Sequence, residues 1–266
     1  SSKAFEEEVL IVGFGAAPDK SEGQSVVFDN AKESYTARYN HSTVALAFAL
    51  TEEAIEDNLY DSLGKRYTKA LARSMAHSKE VTAANILNNA FSSSHTGGDG
   101  KSLINTAHPL SGGGTDANRA TTMADLNETS LEAALVDLAT FTDDRGLNIS
   151  VMASKLVIPP QLIFVADRLL ASANRTGTAD NDINAIKNTG MISGGYVVNH
   201  HLTDVDAFFL TTSVTDQGEG LKGFQRSAMS TSMEPDFATG NIRYKARERY
   251  SFGFSNWRGI YGSQGA

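Results

Sequence analysis

Cysteine is absent from all 266 residues. That absence removes disulfide staples, thiolate zinc sites and cysteine nucleophiles from consideration, and it fits a protein made in a reducing cytoplasm. Basic residues are the minority: 23 Lys and Arg stand against 31 Asp and Glu, for a net charge of -8. A protein that grips nucleic acid draws its affinity from phosphate contacts and normally shows a basic face. Dedicated nucleic-acid binding is therefore disfavoured, whereas merely surrounding nucleic acid is not. Long apolar runs are missing too. The longest, Glu8–Ala17 and Val44–Leu50, fall well short of the roughly 20 residues that cross a bilayer. The opening Ser1-Ser2-Lys3-Ala4-Phe5-Glu6-Glu7-Glu8 has no apolar signal-peptide core. It also lacks an initiator Met, and is expected to follow residues that were removed, processed or left out.

Recognisable catalytic and ligand-binding patterns are equally scarce. No phosphate-binding Gly-Lys-Ser/Thr loop, Gly-x-Ser-x-Gly elbow or His-Glu-x-x-His pair occurs. His200 and His201 are neighbours, so on a strand they point to opposite faces and on a helix they diverge by about 100°. No metal site is expected from them. His108 precedes Pro109, which biases it to extended backbone; with no partner nucleophile in the pattern, it reads as a packed or hydrogen-bonded loop histidine. Gly13-Phe14-Gly15 lacks the third glycine, the following helix and the later acid of a dinucleotide loop. Glu6-Glu7-Glu8, Glu52-Glu53 and Asp143-Asp144 read as solvated acids.

What is present is a sequence of distinct segments. Residues 1–17 form an amphipathic arm, and Pro18, Asp19, Gly23, Asp29 and Asn30 mark a loop. Val26-Val27-Phe28 and Ser34–Tyr39 alternate apolar with polar side chains, which predicts a two-stranded extension. So small a hairpin is scarcely stable alone in water, so Val26, Val27, Phe28, Tyr35 and Tyr39 are candidate contact residues for a partner surface. Thr51 is a candidate helix cap. Beyond it Ile55, Leu59, Leu63, Tyr67, Leu71 and Met75 recur every fourth residue, with no Pro and one Gly up to Phe91. This predicts a helix of roughly 60 Å, with a break near His77-Ser78 as an option.

Residues 92–122 are glycine-rich loop enclosing Leu103-Ile104, which should dock against something. An α/β block follows over 124–226. It holds a helix at Asn127–Thr142 with Leu131, Ala134, Leu135 and Leu138 on one face, and a strand ending at Pro159-Pro160. A helix over Gln161–Ala173 and strands at Tyr196–Val198 and Ala207–Thr212 complete it. Last comes a long alternating strand, Asn241–Phe254, with Met229–Met233 as a possible partner. Arg243, Lys245, Arg247 and Arg249 share one parity of that strand. They form a basic stripe facing a neighbouring subunit, DNA or solvent.

The run Asp99-Gly100-Lys101-Ser102-Leu103-Ile104-Asn105-Thr106-Ala107-His108-Pro109, the glycine cluster after it and Asn118 form the first part of a larger pattern. Leu156-Val157-Ile158-Pro159-Pro160-Gln161-Leu162, the Asn184 region and Asn256-Trp257-Arg258-Gly259-Ile260 continue it. In this order the motifs resemble the Mu-like class of major head subunits of tailed bacteriophages, over about residues 5–262. The resemblance implies an α+β major capsid fold of the HK-ninety-seven type. Its expected parts are an N-terminal arm (1–17), an extended loop (18–50), a peripheral domain with spine helix and glycine-rich insertion (51–123 and 227–266), and an axial domain (124–226).

By that resemblance the chain is no enzyme and carries no cofactor or metal. It assembles with identical subunits into pentamers and hexamers of a head that encloses double-stranded DNA without reading its sequence, and it touches no membrane. Portal, scaffold and decoration proteins are the further expected partners, with the virion head as the destination and the host cytoplasm as the place of assembly. Some relatives cross-link through a lysine of the extended loop. Lys20 and Lys32 fall in that region, but nothing in the residues indicates such a bond. Two alternatives stand beside this reading: an encapsulin-type nanocompartment shell, and a soluble α/β enzyme using His108, Asp143 or Asp144.

Overall fold

The computed structural model describes residues 2–57, 63–175 and 182–266. Leu59, Tyr60 and the start of the polar stretch 180–186 lie outside them. The chain forms two compact units, one from residues 1–6, 38–85 and 223–253, the other from 7–37, 86–222 and 254–266.

Strand β1 (Phe5–Val12) pairs with β2 (Lys32–Asn40) in a two-stranded sheet. The extension expected from Val26-Val27-Phe28 and Ser34–Tyr39 is thereby corrected: β2 takes the arm as its partner, and residues 24–31 carry no strand. The reason is local. β1 offers eight residues that alternate in exposure, whereas the Asp29 carboxylate, next to Phe28, accepts from the backbone N–H of Gly15 and of Asn30 and so ties this segment to the chain after β1.

In the first unit, β3 (Ser42–Leu50), β10 (Ile242–Phe254) and β9 (Leu221–Pro235) form a sheet in the order β3-β10-β9. The expected partner strand at Met229–Met233 is thus part of a much longer one. A short helix, α1 (Glu52–Glu56), starts at Thr51, whose hydroxyl accepts from the Ala54 N–H. Helix α2 (Leu63–Asn88) follows with 26 residues, about 39 Å at 1.5 Å per residue. Of the expected 60 Å helix, α1 ends at Glu56, α2 covers Leu63–Asn88, and residues 58–62 lie outside the described residues; the optional break at His77-Ser78 is absent because α2 runs through it. Leu71 and Met75 are buried against Ala246, Val44 and Phe48 of the sheet, while Ile55 and Tyr67 of the same stripe stay exposed.

The second unit is built on a four-stranded sheet, β11 (Ile260–Ser263), β8 (Phe208–Thr212), β6 (Ala153–Ile158) and β7 (Tyr196–Val198) in that order. Only β6 and β7 run parallel, and the chain between them crosses over through α4 (Ile163–Leu170) and α5 (Ala185–Thr189). Pro160 opens a 3-10 turn, and α4 starts after it at Ile163 and ends at Leu170, shorter than the helix expected over Gln161–Ala173. Alternation sends neighbouring side chains to opposite faces. Leu156, Ile158, Phe208 and Leu210 meet α3 (Glu128–Ala139), whose Leu131, Ala134, Leu135 and Leu138 are all buried. On the other face, Phe209 and Ile260 pack with Ala90, Leu103 and Ile104. The apolar pair inside the glycine-rich loop has therefore found its dock: both residues are 1% exposed. Two smaller features had no sequence signal, the two-residue ribbon of β4 (His108–Pro109) with β5 (Thr115–Asp116), and the turn α6 (Ser213–Asp216).

Candidate assembly surfaces and the hub behind them

The β3–β10 register separates two kinds of face. Tyr244 lies opposite Phe48, Ala246 opposite Leu46 and Glu248 opposite Val44; this parity holds the contacts to α2. The other parity sets Arg243 opposite Ala49, Lys245 opposite Ala47, Arg247 opposite Ala45 and Arg249 opposite Thr43. The predicted basic stripe thus lies on the sheet face away from α2, beside a row of exposed alanine methyl groups. Arg243 pairs with Asp236 at one end. Lys245, Arg247 and Arg249 make no ion pair among the described residues.

On the helix side Glu248 is buried and takes the Lys79 ammonium at 2.5 Å, with Gln225 beside it. The inward Glu248 charge is therefore neutralised, whereas the outward Lys245, Arg247 and Arg249 make no ion pair among the described residues. Where β3 meets α2, an open groove of about 360 Å³ is lined by Leu46, Phe48, Tyr67, Ala70, Leu71 and Ser74.

Of the other predicted contact residues, Val26, Val27 and Phe28 are 66%, 68% and 94% exposed. Three consecutive apolar side chains therefore stand open to water. Their loop is tied down at its far side: Arg145 donates to both Asp29 oxygens and to the Asn30 carbonyl. Backbone N–H groups from Gly15 and Asn30, then the Arg145 charge, hold the Asp29 carboxyl below the usual carboxylate range. Tyr35 and Tyr39 are used within the chain. Tyr39 is buried with its ring 4.8 Å from Phe224, and Tyr35 packs against the core of the second unit.

A buried polar hub joins the glycine-rich loop to the end of the chain. The His108 ring is fully buried and stacks on Trp257, centroids 4.5 Å apart. Its Nδ1 faces Asp99 Oδ2 at 2.6 Å and its Nε2 faces Asn118 Oδ1 at 3.2 Å. Asn118 spends its amide N–H groups on the carbonyls of Leu103, Trp257 and Ile260. That orients Oδ1 toward the ring.

Alongside, Arg258 lies over Trp257 and donates to the Thr142 carbonyl and to Asp144 Oδ1, each at 2.8 Å. Both members of this pair are about 95% buried, since their side chains are 4% and 5% exposed. The His108–Asp99 pair resembles two-thirds of a nucleophilic triad, but Nε2 meets an amide oxygen and neither side chain is open to a substrate. Its chemistry is structural. The sequence expectation of a packed or hydrogen-bonded loop histidine fits His108, whereas the reading of Asp143-Asp144 as solvated acids is corrected for Asp144, which is buried against Arg258; Asp99, Asn118, Trp257 and Arg258 were quoted within motifs and given no role. Their signal was polar residues embedded in otherwise apolar runs, which a buried network requires.

His200 and His201 sit in the turn after β7, where the His201 carbonyl accepts from Asn88. No cluster of three or more metal-binding side chains occurs among the described residues. Gly13–Gly15 lies in irregular chain after β1.

Comparison with known proteins assigns this geometry. The family model described as "Phage capsid protein" matches residues 34–263, most of the chain, and the chain belongs to that family. No curated protein sequence matches it. Among solved structures, the capsid of a native GTA particle superposes with a TM-score of 0.61 at 12% identity, covering 98% of this chain and 84% of that one. The capsid of cyanophage P-SCSP1u gives 0.60 at 14% identity over 100% and 84%. A virus-like particle from Pyrococcus furiosus gives 0.52 at 10% identity over 99% and 87%. These likenesses show the fold, that of phage major capsid proteins of the HK-ninety-seven type.

Proposed function

We propose that this chain is the major structural subunit of a tailed-phage head, working by assembly into a closed shell around double-stranded DNA. The family match over residues 34–263 carries the reading. Physical features support it. A shell subunit needs large contact areas with copies of itself, and this one exposes an apolar loop tip at Val26–Phe28, an open apolar groove and a row of cations of which Lys245, Arg247 and Arg249 make no ion pair among the described residues. Because rings of five and six need a different patch on each side of the subunit, pentamers and hexamers are the proposed building blocks.

The peripheral domain expected over 51–123 and 227–266 is proposed to correspond to the sheet-and-helix unit, and the axial domain of 124–226 to the four-stranded unit. The loop 86–122 and the chain end from 254 go with the latter. Val26, Val27, Phe28 and the stripe of Arg243, Lys245, Arg247 and Arg249 are proposed as contacts between copies. Tyr35 and Tyr39 support the base of the extension from inside. Portal, scaffold and decoration proteins complete the proposed partners, the host cytoplasm is the proposed place of assembly, and the Mu-like class is the proposed subclass, supported by the resemblance of the motif residues.

The encapsulin-type alternative shares the fold but is not favoured, because the matching family is that of phage capsids. Purified particles discriminate directly. Sedimentation should show species of megadalton mass, and those from an infected or induced host should hold nuclease-protected DNA. A protein cargo in place of DNA would favour the nanocompartment, and a strictly monomeric protein at high concentration would refute the shell altogether.

A further inference from the structure

The cation row runs against the charge of a chain whose net charge is -8. From Arg243 to Arg249 it extends about 20 Å along β10. A second observation points to an acceptor from outside. The Nε of Arg249 is buried without a hydrogen-bond partner, and so is the Nε of Arg226. Because Gln225 bonds to Glu248 on the α2 side, alternation places Arg226 on the same face as Arg249. Guanidinium N–H groups shielded from water and lacking an acceptor are costly, and carboxylate is a group their fork geometry fits.

The same unit carries the complementary charge. Glu52, Glu53, Glu56 and Asp57 place four exposed carboxylates within six residues around α1. None has an ion pair among the described residues. Ile55, 42% exposed, stands among them. This turn cannot satisfy the row within its own copy. The Glu52 carboxylate lies against Gly240, in the β9–β10 connection, at the Arg243 end, so Arg247 and Arg249 are well over 10 Å further along the strand. A nucleic-acid backbone would match the cations alone. A turn that combines acids with an exposed isoleucine matches the cations and the neighbouring alanine methyl row together.

Resting on the capsid reading, we infer that the basic face of β10 in one copy receives the acidic turn 52–57 of a second copy. The two patches differ, so the contact is head-to-tail and repeats around a ring.

Full-length protein tests this by charge exchange, with assembled fraction read by sedimentation and folding by thermal melting. Lys245→Glu with Arg247→Glu should lower the assembled fraction at least tenfold without moving the melting temperature. Glu53→Arg with Glu56→Arg should do the same, and all four changes in one chain should restore assembly. Arg249→Gln, a milder change, should make assembly more sensitive to salt. Four-fold exchange that assembles no better than either half overturns the pairing. So does a basic-face variant that assembles normally but packages less DNA, which would assign the face to the genome. Wild-type protein that forms no particles would instead sink the capsid reading itself.

Discussion

Arg258→Met tests the buried hub, and its cost follows from the contacts it removes. The change deletes the bonds to the Thr142 carbonyl and to Asp144, and leaves the Asp144 carboxylate, 5% exposed, with only the Ser111 N–H at 3.3 Å. Breaking a buried ion pair from one side costs about 3–5 kcal/mol, because the remaining charge is stranded. At this chain size each kcal/mol lowers the melting temperature by about 2–4 °C, so the variant should melt roughly 10 °C lower. Asp144→Leu should cost a similar amount for the reciprocal reason. Combining the two removes both charges, and the double variant should be clearly more stable than the sum of the single losses implies. Circular dichroism melting of the unassembled protein measures all four corners of this cycle. A single-variant shift below about 2 °C, or strictly additive losses, would refute the claim that the pair acts as a buried unit.

Three further outcomes are expected. Gly259→Ala should destabilise by about 1–3 kcal/mol in denaturant titration, since a Cβ there would stand 2.5 Å from the Gly220 backbone; an unchanged midpoint would contradict that packing. Burial and then the bond to Asp137 raise the Tyr261 pKa above its ordinary 10.0, and burial followed by the Asp99 charge raises Tyr35. Folding favours the neutral phenols, so their stabilisation is complete below pH 10 and is lost as pH rises beyond it, where the unfolded chain ionises first. Tyr261→Phe should flatten this alkaline loss in melts taken above pH 10, and an equally steep slope would count against it. Replacing Val26, Val27 and Phe28 by serine should leave the subunit's melting temperature within about 1 °C, the usual range of surface changes, while reducing particle yield. Normal yield would show the loop tip is dispensable.

The parts of the fold that were legible in the sequence are those where one periodicity decided the outcome. The face Leu131, Ala134, Leu135 and Leu138, the strand parity of Ile242 through Phe252, and the Thr51 cap needed only local rules, and each stands where it was expected. Pairing was harder. The expected partner of β2 was Val26–Phe28, but β1 takes that place, while the Asp29 carboxylate bonds to the backbone of Gly15 and Asn30. The basic stripe was visible as alternation, but its row of alanine neighbours required the β3 register. Least visible was the hub. Asp99, His108, Asn118, Asp144 and Arg258 are far apart in the chain and acquire meaning only when the glycine-rich loop folds onto Trp257. No periodicity encodes such a meeting.

Single-particle electron microscopy of the purified native protein addresses the central claim most directly. The account predicts closed shells whose density fits this subunit in rings of five and six, with neighbouring copies in contact through the β10 face and the tip at Val26–Phe28. Isolated monomers at high concentration, with those surfaces in contact only with solvent, would contradict it.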